Sequence, residues 1–161
     1  MPHPGDANGG DPQTGRATVA SRFDVRLASW SADRAALEQV RRAVFVIEQR
    51  IPEALEWDAD DASSLHALAL DAHGSAIGCA RLLDAGHIGR VAVLSRWRGQ
   101  GVGSALLTRL VAAARERGHA RVLLNAQVQA MPFYARHGFR PHGAAFEEAG
   151  IAHQAMVQDL R

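Results

Sequence analysis

The sequence predicts a single α/β domain: one β-sheet of mixed strand direction with helices on both faces. Three observations point to it. Apolar residues recur at steps of three and four in two long stretches, the period of a helix packed on one side. Around these stretches lie short runs with strand character, some joined by tight turns and others through a helix, as hairpins and crossovers require. The chain has 161 residues, enough for one ordinary core.

In chain order, Phe23–Ala28 alternates apolar and polar side chains, so a half-buried strand opens the domain. Ser31 offers an N-cap, and Leu37, Val40, Val44 and Ile47 put one apolar stripe on a helix of about seventeen residues. That helix ends between Gln49 and Pro52, and the acidic segment Glu53–Asp61 reads as a loop or short helical piece. Leu65–Asp71 and Ala76–Leu83 form a hairpin across a Gly-containing turn. His87–Leu94 is apolar at nearly every position, as in a central strand buried on both faces. The Gly-rich stretch 99–103 leads into a helix marked by Leu106, Leu107, Leu110, Val111 and Ala114 and closed by Gly118. A buried strand at Arg121–Asn125, a short helix around Ala130–Arg136, and strands near Phe139–Gly143 and Ile151–Gln158 complete the order. Residues 22–161 are thus the folded domain. Residues 1–21, rich in proline and glycine, read as a flexible N-terminal tail.

Composition excludes several chemistries. Eighteen basic and 17 acidic side chains leave a formal charge of +1, too balanced for binding nucleic acid or a membrane surface. Every basic residue is arginine, and without lysine neither a P-loop, a pyridoxal Schiff base nor a Ser-Lys hydrolase exists in standard form. Cys79 stands alone, which excludes an intrachain disulfide and suits a reducing compartment, so a cytoplasmic location is expected. Its strand position marks it as a small buried apolar residue rather than a nucleophile. No apolar run approaches the roughly 18 residues of a membrane span. No metal is expected: the histidines lack ligand spacing, and a calcium-loop pattern begun at Asp58, Asp60 and Asp61 fails at Ser63 and Ala69. The acidic run is either solvated surface or a means of drawing in a cationic acceptor, and His66 and His153 could face that acceptor.

The most informative stretch is Val91-Ala92-Val93-Leu94-Ser95-Arg96-Trp97-Arg98-Gly99-Gln100-Gly101-Val102-Gly103-Ser104, a strand passing through a Gly-rich turn into a helix. Its physics suits a phosphate cradle: glycines let backbone N–H groups face outward, and the helix adds its positive end. The spacing is neither a dinucleotide fingerprint nor a Walker motif. Farther on stands Asn125-Ala126-Gln127-Val128-Gln129-Ala130-Met131-Pro132-Phe133-Tyr134-Ala135-Arg136-His137-Gly138-Phe139, with the only tyrosine of the chain. A neutral phenol can donate a proton to a departing thiolate; it can equally be a packed aromatic.

Arg98–Gly103 resembles the R/Q-x-x-G-x-G/A signature of the GNAT acyltransferase superfamily. The second stretch is similar to its N-x-x-A-x-x-F-Y-x-x-x-G-F box, with Gln127 where Asn is usual. V-F-V-I-E-Q from Val44 and F-E-E-A-G-I-A-H-Q-A-M from Phe146 resemble the ElaA-like branch. The resemblance implies a GNAT fold over about Phe23–Leu160 and acetyl-coenzyme A as acyl donor. It implies that Val91, Ala92 and Val93 meet the pantetheine arm, that Arg98, Gly99, Gln100, Gly101, Val102, Gly103 and Ser104 grip the pyrophosphate, and that Gln127 makes a polar contact to the cofactor. Tyr134 would protonate the leaving sulfur, and of the base candidates Glu48, Glu56 and Asp58, Glu56 is taken as the catalytic one. The expected function is an acetyl-coenzyme A-dependent N-acetyltransferase acting by direct transfer to a primary amine, small molecule or peptide, with a homodimer as an expected assembly. The alternative is a coenzyme A-binding sensor or interaction module without turnover.

Overall fold

Eight strands and four α-helices alternate along residues 22–161, the part of the chain that this computed structural model describes. The tail expected over 1–21 lies outside the described residues. Strand β1 (Phe23–Ala28) leads into α1 (Trp30–Arg41), which continues without a break into a π-helical turn over Arg42–Glu48. A single turn α2 (Glu53–Glu56) and a 3₁₀ turn (Ala59–Asp61) precede β2 (Leu65–Asp71), β3 (Ala76–Leu82) and β4 (His87–Val93). Then come α3 (Val102–Glu116), β5 (Arg121–Gln127), α4 (Met131–Arg136), β6 (Arg140–Pro141), β7 (Phe146–Glu148) and β8 (Ile151–Asp159). The sheet order is β1-β2-β3-β4-β5-β8-β6, with β7 also on β8, and every pairing is antiparallel except β4 with β5.

Because strand side chains alternate between faces, the sheet carries two cores. Leu106, Leu107 and Leu110 of α3 pack on Ile77, Leu82, Val122 and Leu124 on one face. Leu37 and Val40 of α1, with Val44 and Phe45 of the π-helical turn, pack on Leu68, Cys79 and Ala92 on the other. No helix among the described residues is long and apolar enough to cross a membrane.

Several elements differ from the sequence reading. The first helix is capped by Ser29, whose side chain accepts the Ala32 N–H at 3.2 Å, because Trp30 already enters the helix; the expected cap, Ser31, lies inside it. Strand β4 is central in the sheet but only half-buried, whereas β3 is buried along its whole length. The reason lies in the β4–β5 pairing, which holds only at His87–Leu123 and Ile88–Leu124. Farther along, β4 stays with β3 (Val93 opposite Gly78) while β5 stays with β8 (Gln127 opposite His153), so the two strands part and one flank of β4 faces open space. A β-bulge sharpens the divergence: Arg90 and Val91 lie against the single residue Ala80, and Arg90 takes a left-handed φ of 51°. Strand β7, absent from the sequence reading, is a short exposed arm on β8.

On β3, Gly78 is required by the close approach of α3. A Cβ there would meet Leu106 Cδ1 and Val102 Cγ1 at 3.0 Å and the Ala92 carbonyl oxygen at 3.2 Å. Gly78→Val is expected to destabilise the fold by about 1–3 kcal/mol through overpacking, read as a lower urea midpoint with an unchanged m value.

Candidate active site

The parting strands open a cavity of about 1400 Å³. Its walls are the Gly-rich turn before α3, the edges of β4 and β5, Phe133 and Tyr134 of α4, and Glu148, Ile151 and His153 from the β7–β8 hairpin; Asp58, Arg81 and His87 also line it. The cavity brings together Tyr134, Glu56, Val91–Val93, Arg98, Gly99, Gly101–Ser104 and Gln127, all expected from sequence at one site. Gln100, also expected there, is not among its lining residues; its side chain turns back to donate to the Arg96 carbonyl at 3.0 Å.

The turn itself is built for close backbone approach. Gly99 and Gly101 adopt φ of 75° and 87°, and a Cβ on either would meet nothing within 4 Å. Gly101 is the N-cap of α3 yet offers no side-chain cap, and the first helical bond runs from the Ala105 N–H to the Gly101 carbonyl. The amides of Val102, Gly103 and Ser104 therefore point out of the helix end without intrahelical partners, which is the arrangement that receives an anion. His137 Nε2 lies 2.9 Å from Ser104 Oγ and ties α4 to this first turn.

Tyr134 is 8% exposed, packed edge-on against Phe133 and Phe139, and still borders the cavity. Burial pushes its phenol up to about 12, so the hydroxyl stays protonated through the neutral range. The Cys79 thiol is likewise pushed to about 12 by burial, which leaves it an uncharged core group.

Arg98 departs from a simple role in charging the turn. Its guanidinium grips Glu48 with two bonds of 2.6 and 2.7 Å, while its Nε donates to the Val93 carbonyl at 3.1 Å. The pair lines the cavity and joins the π-helical turn to the end of β4, and the Arg98 hydrogen bond holds the Glu48 carboxyl below its ordinary value. Gln127 also has protein partners: it donates to Gln49 Oε1 at 2.9 Å and accepts from Gln129 Nε2 at 2.7 Å. Gln49 and Gln129 were missed by sequence reasoning, although Gln49 ends the V-F-V-I-E-Q segment singled out there.

The acidic segment is the largest correction. Glu53 and Asp60 are exposed, but Glu56 and Asp61 are buried and, with the partly exposed Asp58, form the acidic half of an ion network, so these three are neither plain solvated surface nor free to draw in a cation. Glu56, 3% exposed, accepts Arg41 Nε at 2.8 Å and Arg90 Nε at 2.9 Å on the same oxygen. Asp61 takes Arg41 at 2.6 Å and Arg81 at 3.0 Å, and Asp58 takes Arg81 at 2.7 Å and Arg90 at 3.3 Å. Arg41 lies between the rings of Trp57 and Trp30, 5.1 and 5.6 Å from their centroids. His66 is buried in the same cluster, donating Nε2–H to the Asp61 carbonyl at 2.9 Å and stacked on Trp30, so it does not face the cavity. Burial pushes the Asp61 carboxyl up, but Arg41 and Arg81 outweigh it and hold the group below its ordinary 3.8. Burial raises Glu56 above its ordinary value in spite of its arginines.

Residues 31–160 match the model of the acetyltransferase (GNAT) domain. The chain belongs to the GNAT acetyltransferase family. Among GNAT relatives, YjcF of Bacillus subtilis, an uncharacterized N-acetyltransferase, is 38% identical over 123 residues, which cover 74% of this chain and 88% of YjcF. ElaA of Escherichia coli is 33% identical over 134 residues, covering 78% and 86%, and its crystal structure superposes with a TM-score of 0.75 over 85% of this chain and 99% of that one. An acyl-CoA N-acyltransferase from Pseudomonas aeruginosa is 32% identical with a TM-score of 0.76, over 84% of this chain and 99% of its own. The ElaA match fits the branch resemblance of the segments from Val44 and Phe146.

Removing one carboxylate should expose how much the GNAT domain relies on its ion network. Asp61→Ala leaves Arg41 and Arg81 short of a partner in a buried site and is expected to cost about 3–5 kcal/mol, measured by urea unfolding at pH 7. Because the Asp61 carboxyl is held low when folded, its contribution is present above the ordinary value of 3.8 and is lost as pH falls through the lower folded value. That acid-linked loss should be smaller in Asp61→Asn than in the wild type.

Proposed function

We propose that this protein transfers an acetyl group from acetyl-coenzyme A to a primary amine, both bound together in the cavity between β4 and β5. The observation that carries the reading is the shared cavity, which joins the uncapped N-terminus of α3 to a protonated phenol, Tyr134, along the free flank of β4. The glycine turn fits a pyrophosphate, since Gly99 and Gly101 leave space where any side chain would intrude. Gly99–Ser104 would hold that group through backbone amides, with Arg98 bracing the turn through Glu48 and Val93 in place of contributing a free charge. Val91–Val93 would meet the pantetheine arm, and Gln127, fixed between Gln49 and Gln129, would present an amide beside it.

Bound there, the donor supplies an acetyl thioester. Backbone N–H groups on the free flank of β4 near Val91–Val93 would stabilise negative charge developing on the thioester oxygen, the role of an oxyanion hole. The Tyr134 hydroxyl would give its proton to the leaving sulfur. Glu56 is assigned a positioning role, because its carboxylate bridges Arg41 and Arg90 and so fastens α2 to the bulge of β4.

A screen of amines, amino acids and peptides for thiol release from acetyl-coenzyme A tests the reading. Donor binding without release under any acceptor would favour a sensor instead. Tyr134→Phe keeps the ring and its packing, and is expected to lower kcat by about 10² to 10⁴ with little change in donor affinity; equal kcat values where chemistry limits turnover would return Tyr134 to the core. Gly101→Val forces a β-branched residue to a left-handed φ at the cradle and should sharply weaken coenzyme A binding measured by calorimetry.

A further inference from the structure

An alkyl ammonium has to lose a proton before it can attack, and each carboxylate that the sequence offered for this task is engaged by arginine. Glu48 is held by Arg98 through both oxygens, Glu56 by Arg41 and Arg90, and Asp58 by Arg81 and Arg90. His87 borders the cavity, but burial holds its imidazole below the ordinary value and Arg81 pushes the same way, so it is a poor acceptor.

His153 is different. It stands on β8 directly opposite Gln127 of β5 and Phe146 of β7, and residues opposite one another in a sheet project from the same face. Gln127 and His153 accordingly line the same cavity. The His153 ring is half-buried and stacked on Phe146, with centroids 5.7 Å apart and planes 17° from parallel. Its Nδ1 lies 2.7 Å from the Ile151 carbonyl oxygen. A carbonyl only accepts, so Nδ1 carries the hydrogen, and the neutral ring keeps its lone pair on Nε2. Ring stacking and the backbone bond fix both the plane of the imidazole and its tautomer.

We propose that His153 Nε2 is the proton acceptor for the incoming amine. This rests on the acetyl-transfer reading above and names the group that reading leaves open. In the step, an N–H bond of the ammonium breaks and an Nε2–H bond forms, giving a neutral amine and an imidazolium that later returns its proton to solvent. Besides the arginine-paired carboxylates named above and the lining arginines Arg81, Arg90 and Arg98 that hold them, the cavity wall carries Arg136 of α4 and Glu148 of β7, with His87 of β4 as the other imidazole. Arg81 is balanced by Asp58 and Asp61, and Glu148 is an exposed carboxylate of the adjoining strand β7.

The first test needs no acceptor. Long-range ¹H–¹⁵N correlation on the free protein above the His153 pKa should show the Nδ1–H tautomer; an Nε2–H tautomer overturns the proposal. The second test uses acetyl-coenzyme A with two probe amines: 2-phenylethylamine, protonated at neutral pH, and hydroxylamine, already neutral. His153→Asn can still donate to the Ile151 carbonyl but cannot accept the proton. It is expected to lower kcat with phenylethylamine by about 10²-fold or more, to affect hydroxylamine far less, and to shift the rising limb of the pH–rate profile to the pKa of the amine itself. Glu148→Gln should keep the wild-type limb. Loss of rate that is equal for both amines, a His153→Asn variant as fast as wild type, or removal of the limb by Glu148→Gln alone overturns the assignment of His153 while acetyl transfer stands. Absence of thiol release from the wild type with any amine overturns the transfer reading itself and the proposal with it.

Discussion

The parting of β4 from β5 after two register pairs is the constraint on which the rest of the structure depends. A sheet that splits at its centre forfeits backbone hydrogen bonds where they are best shielded, and each exposed N–H and C=O then needs another partner. Arg98 supplies one, covering the Val93 carbonyl with its Nε. The split also explains why β3 takes the fully buried place in the middle of the two cores. Both helical layers close over β3, while on β4 one flank must stay uncovered for the cavity to exist.

Holding such a wedge open requires stiff walls, and the ion network provides one of them. Three guanidinium groups meet three carboxylates with no excess charge, and α1, the acidic segment, β3 and β4 each contribute to it. Hydrophobic packing of equal volume could match its stability. It would not fix direction as well, since Arg90 grasps both the Glu56 carbonyl and its carboxylate from the bulge that turns β4 away. Opposite, the π-helical turn widens the end of α1 so that Glu48 and Gln49 reach Arg98 and Gln127.

The order of elements was legible because it rests on period: the stripe of Leu37, Val40 and Val44 and the alternation in Phe23–Ala28 are local signals. The π-helical turn was not: an α winding would have kept Ile47 on the stripe with Val44, whereas the wider turn buries Val44 and Phe45 and leaves Ile47 exposed. Strand β7 was invisible because Phe146–Glu148 has no buried face and is ordered only by pairing with β8. The glycine turn and Tyr134 could be read because their spacing is contiguous. The network could not, because Arg41, Arg81 and Arg90 lie up to 34 residues from the carboxylates they meet, and a run of acidic residues looks solvated until those partners arrive. His153 could be noticed as a histidine but not as a fixed tautomer, for its bond to Ile151 exists only in the hairpin geometry.

The cations of the network are arginine alone, and the chain contains no lysine anywhere. A guanidinium remains protonated at any pH the fold survives, so its lone pairs are never offered to an electrophile. A chain without lysine presents no side-chain amine to an activated acyl group. The positive charges that brace the cavity are thereby inert toward the kind of donor its family handles, and self-modification at those side chains is closed off by composition rather than by distance.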